Sequence, residues 1–199
     1  MKVGVAACPH WGAHNSVKRI VLAVGLALAC VSSLAAAKVG SEALIEARQA
    51  SMKQMAAAAK TLAGMFNGQV PYNAAAFRDA AETLRDRTGS LVGEFPSGSL
   101  GPLSGAKPEI DQDRRSFEAL AHHIATLTTA LAKEAANAPP KINGEMRMGP
   151  GTMMDGGSLL GKRTNAAEPD PATLPAEHLV HMILQDCTGC HSRFRQKIR

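Results

Sequence analysis

SEALIEARQASMKQMAAAAKTLAGMFN, residues 41–67, places Met52, Met55, Ala59, Leu62 and Phe66 at intervals of three and four. That spacing gathers side chains on one face of an α-helix as an apolar stripe. Asn67-Gly68 closes the run. A second run, from about Asn73 to Val92, repeats the pattern with Phe77, Ala80, Leu84, Thr88 and Leu91, opposite a charged face that includes Arg78, Asp79, Glu82 and Arg85. The third begins near Glu109, where Pro108 suits a first helical turn, and holds Phe117, Leu120, Ile124, Leu127 and Leu131 in line until Pro139-Pro140. The fourth begins near Pro175 and aligns Leu179, Ile183, Cys187, Cys190 and Phe194, which puts both cysteines on the face expected to be buried. Four amphipathic helices without a strand pattern predict an all-α protein, an antiparallel up-and-down four-helix bundle.

The connections differ in kind. FPSGSLGPLSGAKP, residues 95–108, is a Gly-, Ser- and Pro-rich loop. A Gly-, Met- and Pro-rich excursion at about 139–172 shows no periodicity and is unusually long for a compact domain, so it is expected to be either functional or disordered. No internal repeat is found. The composition agrees with a helical chain: 45% of residues are apolar but only 4% aromatic, and unbranched side chains lose little rotamer freedom in a helix.

The opening of the chain reads as a targeting segment. Lys18 and Arg19 precede an uncharged run from Ile20 to Ala37, and Ala35-Ala36-Ala37 supplies small residues for cleavage. Residues 1–37 are therefore expected to be an export signal peptide and 38–199 the mature domain, periplasmic and without a membrane span after cleavage. The same run is almost long enough for an uncleaved anchor. A lipidation site at Cys30 is a poorer match, because Ala27-Leu28-Ala29 precedes it. The stretch before Lys18 is long for a signal peptide, which allows a start downstream of Met1. Residues 1–37 hold three basic residues and no acid, leaving 19 basic against 17 acidic and a net charge of +2. Nucleic-acid binding loses its electrostatic support. The same residues hold Cys8 and Cys30, so the mature chain keeps only Cys187 and Cys190.

These two lie in CTGCHSRFR, residues 187–195. On a helix Cys187, Cys190 and His191 stand at i, i+3 and i+4 and project from one face. Two thiols so spaced reach the two vinyl groups of one haem edge, and the imidazole reaches the iron. A zinc site needs four ligands, and His178 and His181 diverge from Cys187 on the same helix. A thioredoxin-like redox pair would follow a strand, and a disulfide within four helical residues is awkward. Covalent haem attachment is the expectation, with zinc and redox chemistry as the alternatives.

A C-terminal Cys-x-x-Cys-His followed by Phe194 and Arg195 resembles the class II cytochromes c, the cytochrome c′ group. ARQASMKQM in the first helix and GQVPYNAAAF before the second add to the resemblance, which covers most of 41–138 and 173–199. Phe194 departs from the Tyr common there. The resemblance implies one covalent haem c on Cys187 and Cys190, with His191 as proximal ligand. It also implies that Met52 faces the distal side of the iron, with Met55 one turn on as the substitute. An apolar group at that position leaves the iron five-coordinate and open to nitric oxide or carbon monoxide. A methionine points instead to the low-spin branch, with Met52 as sixth ligand and a raised potential. Arg48, one turn before Met52, is the candidate for a haem propionate contact, and Arg195 for a place near the proximal imidazole. Relatives are often dimers through their first two helices, which leaves a homodimer open.

His122, His123, His178 and His181 read as surface or partly exposed residues. Met146, Met148, Met153 and Met154 crowd the excursion, where thioethers suit copper(I) but a loop without a ligand is the simpler reading. The expectation is thus an exported monohaem electron carrier, not an enzyme, that exchanges electrons with redox partner proteins. A five-coordinate gas-binding protein is the alternative.

Overall fold

The computed structural model describes residues 42–101, 104–149 and 169–197. The expected signal peptide, including Cys30, lies outside the described residues, as do Met153 and Met154. Helix α1 spans 42–66 and α2 spans Ala74–Ser90. A short α3, Glu109–Gln112, leads into α4, Arg114–Ala136, and α5 covers Ala176–Phe194 after a 3-10 turn at Pro171–Thr173. The long helices α1, α2, α4 and α5 form the expected four-helix bundle. Among the described residues no helix is long and apolar enough to cross a membrane.

Local chemistry sets the helix ends. Gly64 has no Cβ, so Val70 folds back against α1; an added Cβ would meet Val70 Cγ2 at 2.6 Å. Gly68 then turns the chain with φ at +77°, a conformation that glycine adopts without steric cost. Asn73 caps α2 by accepting a hydrogen bond from Ala76 N at 2.9 Å. The third predicted helix is two elements. Asp113, at φ −125° and ψ 52°, breaks the α-helical path, and its carboxylate restarts it by accepting from Ser116 N.

The core has two clusters. In the larger, Leu62, Phe77, Leu84, Leu127, Leu131 and Leu179 interlock. A smaller cluster at the other end joins Leu91, Phe95, Ile110, Phe117, Ala121 and Phe194. Its rings meet edge to face, Phe117 lying 5.4 Å from Phe95 and 5.5 Å from Phe194. Between helices α2 and α4, the Thr88 and Thr128 hydroxyls meet at 2.7 Å, so the polar atoms of two buried residues satisfy each other.

Two arginines fasten the 91–101 connection. Arg48 is 3% exposed, not solvated, and its guanidinium lies 4.6 Å from the Phe95 ring centre. It donates to the carbonyls of Glu94 and Ser99 and to Ser99 Oγ. From the opposite side Arg114 donates to the carbonyls of Phe95 and Val92. A loop that composition marks as a plain linker is therefore tied to α1 and α4.

The beginning of the excursion is also packed. Met146 is 7% exposed and belongs to the larger cluster, with Tyr72 Oη 3.9 Å from its sulfur. Arg147 donates to Phe66 O at 2.8 Å and pairs with Glu177 at 3.0 Å. The other Glu177 oxygen accepts from Met148 N at 2.8 Å. Residues 146–148 thus pack on the bundle, although no periodicity in the sequence marks them.

Candidate functional site

Helix α5 carries the Cys-x-x-Cys-His run in its last turns. Glu177 lies in its first turn and Arg193 in its last, charges that suit the helix dipole. The chain beyond is fixed as well: Ala106 and Arg195 form an antiparallel bridge, in which Lys107 N donates to Phe194 O at 2.9 Å and Gln196 N to Gly105 O at 2.8 Å. Lys107 Nζ reaches Ser192 O at 3.1 Å.

Cys187 and Cys190 are free thiols, each half-buried and not fully buried as the helical register suggested. Cys187 packs on the larger cluster and Cys190 on the smaller, so the pair straddles the junction of the two cores. On α1, Met55 also packs on both clusters, and Met52, half-buried, packs on the smaller one with Cys190. The structure therefore brings the α5 motif and the α1 methionines to the same part of the core.

The electrostatics argue against thiol redox chemistry. Burial pushes the Cys187 thiol up, helped by the Asp186 charge. The Cys190 thiol is pushed up to about 11 by burial, then by Cys187 and Asp186. Redox-active cysteines need the opposite shift, toward thiolate. His191 is an exposed residue, yet partial desolvation and the Arg195 charge lower its pKa, which favours the neutral imidazole that binds metals. Among the described residues no three His, Cys, Asp or Glu side chains gather where they could hold a metal ion without a porphyrin. The free, half-buried thiols one helical turn apart, with an imidazole beside them, fit haem c. Cys187 and Cys190 would carry its thioethers and His191 its iron.

The remaining predicted residues divide. Arg48 spends three of its donors on the 91–101 loop, so a propionate contact would compete with those bonds. Its pKa is lowered by burial, which Glu94 and Asp111 partly offset. Arg195 lies close enough to His191 for its charge to be felt there. His122 and His181 are exposed and His178 is half-buried, its Nδ1 without a hydrogen-bond partner. His123 is half-buried, and its Nδ1 lies 2.7 Å from Asp186 Oδ2. Met146 is engaged with the core and cannot serve a loop copper site as it stands; Met148 is half-buried. Sequence periodicity gave no sign of the His123–Asp186 and Arg193–Asp113 pairs, because both join residues far apart in the chain.

Comparison with known proteins identifies the family of the chain. The Cytochrome C′ family model matches residues 43–148, from α1 to the docked start of the excursion. A cytochrome c′ of Rhodopseudomonas palustris (strain ATCC BAA-98 / CGA009) is 25% identical over 155 residues, 77% of this chain and 82% of that protein. Among solved structures, cytochrome c prime from Shewanella frigidimarina superposes with a TM-score of 0.57 at 18% identity, covering 79% of this chain and 97% of that one. Cytochrome c′ from Thermochromatium tepidum gives 0.55 at 22% identity, with 79% and 97% covered. A nitric oxide complex of a cytochrome c prime variant from Alcaligenes xylosoxidans gives 0.55 at 20% identity, again with 79% and 97% covered. With more than half of its length matched by the family model, the chain belongs to the cytochrome c′ family and carries one covalently attached haem c.

Proposed function

We propose that this protein binds a small diatomic gas, nitric oxide or carbon monoxide, at a five-coordinate haem iron. The family to which the chain belongs supports the reading, since cytochromes c′ are typically high-spin and five-coordinate. One similar structure is a nitric oxide complex. This revises the expectation of a low-spin electron carrier with Met52 as sixth ligand.

The observation that carries the proposal is the packing of Met52. Its side chain lies against the apolar cluster of Leu91, Phe95 and Phe117, and Met55 packs beside it on the same cluster. A thioether held in that packing would present an apolar wall to a haem carried by Cys187 and Cys190. The haem would supply the iron chemistry; the chain would anchor it through Cys187 and Cys190, offer it a neutral His191, and set the apolar side chains of Met52 and Met55 against it. Binding, not turnover, is the function, so the protein is not an enzyme. The signal-like residues 1–37 support export to the periplasm.

Electron transfer is the second reading, because Met52 and Cys190 rim the same cluster and a thioether is within the chemistry of a sixth ligand. The absorbance spectrum separates the two. A high-spin spectrum that shifts with carbon monoxide and is little changed in Met52→Leu supports gas binding. A low-spin spectrum with a near-infrared iron–thioether band that Met52→Leu abolishes overturns it.

A further inference from the structure

Asp186 immediately precedes Cys187 on α5, and its Oδ2 lies 2.7 Å from Nδ1 of His123 on α4. The two side chains are only 33% and 23% exposed for His123 and Asp186, so a charge here is less screened than one on the open surface. Asp186 lies one residue before Cys187 and four before Cys190 on α5, so its carboxylate stands one helical turn from the second haem-attaching position. Its charge thus lies beside the turn that would hold the haem edge. A fixed negative charge near a haem favours ferric over ferrous iron, because the ferric form carries one more positive charge.

We propose that Asp186, held in place by His123, sets the reduction potential of the haem. The carboxylate pulls the potential down, and the His123 contact limits how much of that charge the haem feels. The periodicity that places Cys187 and Cys190 says nothing of this pair, which exists because α4 brings His123 across to the residue before the motif. It applies with or without a sixth ligand, so it stands apart from the choice between gas binding and electron transfer.

The test is a spectroelectrochemical titration of the haem-loaded protein, in which one electron from a soluble mediator reduces ferric to ferrous iron and no bond is made or broken. Asp186→Asn is expected to shift the midpoint potential upward. His123→Leu, which leaves the carboxylate without this partner, is expected to shift it downward, and His123→Gln to lie between that variant and the parent. Asp86→Asn serves as a control, because Asp86 is an exposed α2 residue paired with Arg85, and no shift is expected. Urea unfolding of each variant is measured in parallel. An Asp186→Asn potential equal to the parent's overturns the proposal, whether or not stability falls; a stability loss alone would make the pair a clamp between helices. If Asp186→Asn does not accumulate as folded protein, the downward shift of His123→Leu decides, and an unchanged or higher potential there overturns the idea.

Discussion

The Arg193 guanidinium, two residues past His191, is bonded to the carboxylate of Asp113, the residue that breaks and restarts the chain between α3 and α4. One carboxylate therefore caps α4 and holds the end of α5. The Ser116 hydrogen bond is the main cause of a lowered Asp113 pKa, and the Arg193 charge adds to it, while desolvation opposes them in part. A carboxylate whose folded pKa is depressed contributes stability above its unfolded pKa and loses it as pH falls through the folded value. The urea midpoint should drop on acidification below about pH 4, the ordinary carboxylate range. Asp113→Asn, which keeps capping ability but not the charge, should weaken this part of the acid dependence. An unchanged acid profile would contradict the dual role.

Arg48 is expected to be structural before it is anything else. Arg48→Ala should cost on the order of 2–4 kcal/mol, because it leaves the Glu94 and Ser99 carbonyls without a buried charged donor. Arg48→Lys should fail to restore stability, since a single ammonium cannot span both carbonyls. Limited proteolysis near Ser97-Gly98 reports the release of the loop. Resistance equal to the parent's would mean that the loop is held by other contacts.

Met146 makes the clearest test of the docked start of the excursion. Met146→Ala should destabilise the domain by about 2–5 kcal/mol, the range for truncating a buried methionine. Thermal unfolding measures it. A cost near zero would mean that residues 146–148 do not pack on the bundle in solution.

The Thr88 and Thr128 hydroxyls should be coupled. Each also donates or can donate to its own helix, Thr88 to Leu84 O at 2.8 Å and Thr128 to Ala125 O at 3.1 Å. Replacing either by Val should cost about 1 kcal/mol. The double variant should cost less than the two losses together, because neither polar partner is then left unmatched. Strict additivity in urea titrations would deny the contact.

What the sequence made legible is the part written locally. Phe77, Leu84, Leu127, Leu131, Leu179 and Ile183 repeat at helical spacing and are all in the core. The Cys187, Cys190 and His191 spacing likewise needs only one helical turn. The α3–α4 break was hidden because Pro108 already explained a helix start, and nothing in the apolar stripe marks Asp113. The burial of Met146 is hidden for a related reason: it goes with contacts that have no period, among them Arg147 with Glu177. On α1 the stripe missed Arg48 and Ser51, whose polarity argues for solvent although both are buried. Arg48 is indoors because loop carbonyls and the Phe95 ring await it there.

Helix α5 is anchored at both ends, through Glu177 to Arg147 and Met148, and through Gln196 to Gly105. Like a bolt with nuts at either end, it cannot be lengthened without turning. Each residue added to an α-helix rotates every later side chain by about 100°. An insertion between Glu177 and Cys187 would therefore either swing the thiols away from the junction of the two cores or tear one anchor loose. Point substitutions along α5 have many outcomes open to them, but its length has one.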